Sequence, residues 1–151
     1  MLEIVKLDHI GIRIRDRQVS IPFYQSLGFE LLSDIGFEQG HPIMMRSESG
    51  VVLNLLGPSS DRSAKNVLMD IGEKHTGYTH MALKVSSLDA AEAYFNGQGY
   101  EITGRFSFKD MRALFIRDPD HNVIEFDEYP GDNPESRTTG KDPGDGYRSH
   151  P

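Results

Sequence analysis

Laid over itself at an offset of 71 residues, the chain matches at position after position without a gap. His9 falls on His80, Gly28 on Gly99, Phe29 on Tyr100, Glu30 on Glu101 and Leu31 on Ile102. Further along, Arg46 falls on Arg117, Leu53 on Ile124 and Leu55 on Phe126. A constant register across most of a unit marks a duplication, and a fold built from copies of one unit constrains every later reading. Repeat one spans about 4–58 and repeat two about 75–129. A connector, roughly 59–74, joins them and is polar apart from Val67–Met69 and Ile71.

Both repeats share a layout. Residues 4–14 alternate, with Ile10, Ile12 and Ile14 on one face and His9, Gly11 and Arg13 on the other. A period of two predicts a strand. Residues 77–86 repeat it, with Met81, Leu83 and Val85 opposite His80, Ala82 and Lys84. A helix is expected after each: about 17–27, where Pro22 predicts a late start or a bend, and from a Ser87 cap to Gly97 or Gly99. Strands at about 29–35, 42–48 and 50–57, then 100–106, 111–118 and 122–129, complete the units.

The unit is therefore βαβββ, twice. One such sheet alone has open edges and an uncovered face. The expected class is α+β: two repeats pairing into a curved eight-stranded mixed sheet around a cleft, with the helices outside. The domain then covers 1–129. Residues 130–151, with four prolines, four glycines and Tyr147 as the one large apolar residue, cannot bury enough surface to offset their ordering entropy and are expected to be a polar tail.

Composition narrows the chemistry. The 151-residue chain has no cysteine, which excludes disulfides, a thiol nucleophile and Cys-based metal sites. Its net charge of −7 disfavours nucleic acid and anionic membranes. No apolar run approaches the roughly 18–20 residues of a membrane span, and the start, MLEIVKLDHIG, lacks signal-peptide order. A cytoplasmic location is the expectation.

Alternation aims a candidate site. His9 and His80 should point away from the apolar strand faces, into the cleft. Residue 54 corresponds to 125, and both Asn54 and Glu125 alternate away from the core-facing Leu53, Leu55, Ile124 and Phe126. A pseudo-twofold axis would converge His9, Asn54, His80 and Glu125. Two imidazoles and a carboxylate make an ordinary ligand set for zinc, iron, nickel or manganese. Arg13 and Lys84 are matched cations on the cleft faces, suited to holding a substrate anion.

LDHIGIRIRD, FYQSLGFEL and RDPDHNVIEF, set in paired βαβββ units, resemble the vicinal oxygen chelate superfamily over about residues 4–129. That group includes lactoylglutathione lyase, methylmalonyl-CoA epimerase, extradiol dioxygenases, and fosfomycin and bleomycin resistance proteins. The resemblance implies a divalent metal held by His9, His80 and Glu125, a small-molecule substrate, and a homodimer. At the fourth ligand position the lyases usually have Glu and the epimerases Gln, whereas this chain has Asn54, a neutral carbonyl on a short stem. His121 also stands where relatives commonly have Gly in a DPDGN turn, a position where positive φ would strain it.

The resemblance thus implies a metal-dependent lyase or isomerase like lactoylglutathione lyase, with the metal as Lewis acid at vicinal oxygens and Glu125 as general base toward an enediolate-like intermediate. Asn54 leaves two alternatives. One is an extradiol-type dioxygenase or fosfomycin-type enzyme with an open 2-His-1-carboxylate site. The other is a metal-free ligand-binding protein of the bleomycin-resistance kind.

Overall fold

The computed structural model describes residues 1–63 and 65–131; the expected tail, from 132 onward, lies outside the described residues. The chain divides into two units, 1–64 and 65–151. Each holds one helix and a four-stranded mixed sheet.

In the first unit β1 (Ile10–Arg13), α1 (Arg17–Ser26), β2 (Phe29–Ser33), β3 (Ile43–Ser47) and β4 (Val52–Leu56) give a sheet of order β1-β4-β3-β2. In the second, β5 (His80–Lys84), α2 (Leu88–Gln98), β6 (Gly104–Phe108), β7 (Met111–Arg117) and β8 (Val123–Glu128) give β5-β8-β7-β6. The first strand of each unit runs parallel to the last, and the other pairs are antiparallel.

The duplication extends to the ladders. Gly11 pairs with Asn54 and Ala82 with Glu125; Met45 pairs with Leu53 and Ile116 with Ile124. Each second pair is the first shifted by 71. The helix caps obey the same offset. Asp16 accepts from Gln18 N at 2.8 Å, and Ser87 Oγ accepts from Ala90 N at 3.2 Å, each satisfying a first-turn N–H that has no helical partner. Left-handed Gly28 (φ 91°) and Gly99 (φ 75°) follow the two helices.

Several boundaries differ from the sequence reading. The first strand begins at Ile10 rather than residue 4, and β5 at His80 rather than 77. The cause is the partner strand: β4 and β8 start only at Val52 and Val123, after turns, so earlier residues meet no ladder. The first helix does not start late. With the Asp16 cap it begins at Arg17 and carries Pro22 inside it, while Ser20, Phe23 and Tyr24 are buried. The strand expected at 100–106 lies at 104–108, paired from Gly104 with Phe115.

Each sheet buries the face against its helix. In the first unit Ile14, Tyr24, Ile43, Met45, Leu53 and Leu55 are fully enclosed. In the second, Phe95 of α2 stacks on Phe126 with centroids 4.8 Å apart, beside Leu114, Ile116 and Ile124. Burial of such side chains stabilises by about 1.5–3 kcal/mol each. Buried Glu128 ties α2 to β8: its Oε2 accepts from Leu88 N at 2.6 Å, a carboxylate at a helix N-terminus.

Candidate functional site

On the side of each sheet away from its helix, alternation sets out the expected donors. In the first unit Gly11, Arg13, Asn54 and Met44 occupy this face: Gly11 and Met44 are the register partners of Asn54, and Arg13 that of Leu56. His9 precedes β1, beside a hollow lined by Leu7, Asp8, Ser49, Gly50, Val51 and Val52. Its Nδ1 lies 2.7 Å from Asp8 Oδ1, which fixes the ring through one nitrogen and leaves Nε2 as the donor atom. Asp8 is held below its ordinary pKa by that hydrogen bond and by the charge of the ring. Asn54 is half-buried, and its Oδ1 is enclosed without a hydrogen-bond partner among the described residues. Such an oxygen costs about 1–3 kcal/mol unless something fills its lone pairs.

In the second unit His80 Nε2 lies 2.9 Å from Glu125 Oε2. His80 Nδ1 is 2.8 Å from Thr79 Oγ1, so the imidazole is again held by the residue before it; positions 8 and 79 are 71 apart. Glu125 sits on β8, an inner strand, 9% exposed. Burial, then the negative charge of Asp127, then a hydrogen bond with Asp127 push its carboxyl up to about 7. Asp127 is 8% exposed, shares the face of Glu125, and has an enclosed Oδ1 without a partner among the described residues. Lys84 lies on this face with its Nζ 5.4 Å from the Tyr129 ring centre, a cation–π contact. The Phe115 ring meets the His80 ring edge-on at 6.3 Å.

Each unit therefore supplies one imidazole and one oxygen donor at equivalent positions. Among the described residues of either unit, no three His, Cys, Asp or Glu side chains gather to hold a metal by themselves. The donor types fit a divalent metal: an imidazole from each unit, the Glu125 carboxyl, and the Asn54 amide oxygen, which lacks a partner among the described residues. Sequence reasoning missed Asp8, Thr79 and Asp127. The repeat offset signals the first two, and Asp127 shares the alternation of Glu125. His121 does adopt positive φ, 65°. Its equivalent in the first repeat is Gly50, φ 91°, so both turns require a left-handed residue.

A duplicated βαβββ unit with these donors defines a class, and comparison with known proteins agrees with it. The Glyoxalase/Bleomycin resistance protein/Dioxygenase superfamily matches residues 6–126. The chain belongs to that superfamily. It matches no curated protein in sequence. Among solved structures, it is similar to a glyoxylase/bleomycin resistance protein/dioxygenase domain from Frankia sp. EAN1pec (19% identity, TM-score 0.65, covering 83% of this chain and 98% of that one). It is similar to TnmS3, an antibiotic-binding protein from Streptomyces sp. CB03234 (20% identity, TM-score 0.63, 83% and 97%). A third is a variant of the fosfomycin resistance protein FosX from Listeria monocytogenes, complexed with Mn(II) and 1S,2S-dihydroxypropylphosphonic acid (18% identity, TM-score 0.59, 82% and 90%). At these identities the likeness is one of fold. Among the described residues no helix is long and apolar enough to cross a membrane.

Proposed function

We propose that the protein is a metal-dependent lyase or isomerase resembling lactoylglutathione lyase, acting on a small substrate with vicinal oxygens. The domain is residues 1–129. His9, His80 and Glu125 hold the metal, zinc, nickel, iron or manganese, with Asn54 as a weak fourth donor. The observation that carries this reading is the matched pair of rings, each held through Nδ1 by the preceding residue, each on the same face as an oxygen donor 45 positions later in the chain.

When bound, the metal supplies Lewis acidity at the substrate oxygens. Glu125 takes the proton alpha to the substrate carbonyl as general base. In the metal-free protein burial, and next the charge of Asp127, hold that carboxyl high. Arg13 and Lys84 hold the far end of the substrate.

Metal analysis of chain purified without chelators tests the proposal. One metal per site is expected, lost in His80→Ala; protein that takes up no zinc, nickel, manganese or iron refutes it. Turnover of the methylglyoxal–glutathione hemithioacetal tests the lyase chemistry. A second reading, an open three-ligand centre of the dioxygenase or fosfomycin-resistance kind, is favoured by the neutral charge of Asn54; oxygen uptake with catechols distinguishes it. The assembly in this reading is a homodimer. Partial activity on mixing His9→Ala with Glu125→Ala chains would mark sites built from two chains.

A further inference from the structure

Part of the connector is folded onto the second unit. Asn66 builds a turn: its Oδ1 accepts from Leu68 N (3.0 Å) and Met69 N (3.2 Å), and its backbone oxygen accepts from Asp70 N (2.8 Å). The turn is tied to the β7–β8 end of the sheet at two places. Asn66 Nδ2 donates to the carbonyl of left-handed His121 at 3.0 Å, and Arg117 Nη1 donates to the same carbonyl at 2.7 Å. Arg117 also grips Asp70 with both terminal nitrogens, at 2.9 and 2.7 Å, with the two side chains 11% and 15% exposed. A bidentate, mostly buried pair of this kind is far more restrictive than a surface ion pair.

The clasp has a product. Met69 is pressed against Ala113, Phe115 and Val123, with Met111 beside it. By ladder register these three lie on the donor face: Phe115 pairs with Glu125, and Val123 pairs with His80. Met69 therefore packs on the face that carries His80 and Glu125, against the cluster whose Phe115 ring meets His80 edge-on. The charges here are one-sided. Glu125 and Asp127 are acids, while Arg117 is engaged by Asp70. An anion brought against Met69 would meet carboxylates and a guanidinium already committed, whereas an apolar group would meet sulfur and ring surface.

We propose that the 66–71 turn is a built wall of the ligand site and that Met69 is its specificity-determining residue, selecting a ligand whose portion seated against Met69 is uncharged and apolar. This rests on the reading that the His80–Glu125 face binds the ligand, and it does not require the metal.

The test uses the full chain with 13C-labelled methionine methyls, with and without added zinc. 1-Phenylethane-1,2-diol is expected to shift the Met69 and Met111 methyls saturably and to leave the enclosed Met45 methyl in place. 4-(1,2-Dihydroxyethyl)benzoate, the same diol and ring with a para carboxylate, is expected to bind at least tenfold more weakly. Met69→Ala should improve the affinity for 1-(2-naphthyl)ethane-1,2-diol relative to the phenyl diol about tenfold, while Met69→Leu keeps the wild-type ratio and serves as the folded control. A diol that moves the His80 ring but not Met69 overturns the wall and leaves the functional reading standing. So does a carboxylate analogue that binds equally well, or an unchanged affinity ratio in Met69→Ala. No methyl shift up to saturation with either diol also overturns it. Diol shifts at Met69 in protein that takes up none of zinc, nickel, manganese or iron support the wall and sink the metal reading.

Discussion

At position 54 the first unit carries an amide; at the equivalent position 125 the second carries a carboxylic acid, and Leu56 corresponds to Asp127. Beneath them, β1–β4 and β3–β4 pair residue for residue as β5–β8 and β7–β8 do under a shift of 71. The comparison separates what a duplicated frame must keep from what it is free to change. Ladder register, helix caps at 16 and 87, and left-handed turns at 50 and 121 hold the frame and are retained in kind. The donor faces are where the halves differ, with two carboxylates, Glu125 and Asp127, where the first unit has Asn54 and Leu56.

The largest test of this asymmetry is metal retention. His80→Ala or Glu125→Ala should abolish stoichiometric metal, whereas Asn54→Ala should weaken it by about tenfold, the low end of the range for outer supporting residues. Equal losses by metal titration would break the comparison. Next comes the frame itself. Phe95→Ala, removing the ring stacked on Phe126, should cost about 3–5 kcal/mol, read by denaturant unfolding, and a much smaller loss would mean that α2 contributes little to the second sheet.

A third test is pH. Glu125 binds its proton more tightly folded, near 7, than unfolded, near 4.5. Its contribution to stability is thus full below about 4.5 and is lost as pH rises through 7. Chelator-treated protein should melt higher at pH 5.5 than at pH 8 from this group, and Glu125→Gln should flatten the difference. A wild-type difference that persists in the variant would assign the effect elsewhere. The smallest effects concern the caps. Asp16→Ala and Ser87→Ala should each cost about 1 kcal/mol, and similar shifts in thermal midpoint would extend the equivalence to the helices.

Much of this frame is legible in the sequence because it is periodic. The alternation through Ile10, Ile12 and Ile14, the Ser87 cap and the shift of 71 are local or repeated patterns. Residues 4–9 continue the alternation, yet form no strand, because what limits a strand is the length of its partner. The same blindness hides the 66–71 turn. Val67, Leu68 and Met69 read as a short apolar interruption in a polar connector, and only the long-range grip of Asp70 by Arg117 turns them into a wall. At the site, the candidate donors follow from spacing. Their neighbours Asp8 and Thr79 are equivalent under the shift of 71, but their hold on the rings is side-chain geometry that the differing residue types do not announce.

The shared ladder register also bears on ancestry and on engineering. Since β1–β4 and β3–β4 of one half align with β5–β8 and β7–β8 of the other without insertion, these strands are interchangeable at the level of backbone hydrogen bonding, whereas the fourth strand is not: β2 pairs through 29–31 and 33 with a register shift, and β6 through 104–108. A chain carrying the second half twice, in place of the first, is expected to keep its strand pairings and to present two histidines with two glutamates. Such a hybrid would resemble the single-unit ancestor acting as a pair, and the present Asn54 would be one of the changes that made its two descendants unequal.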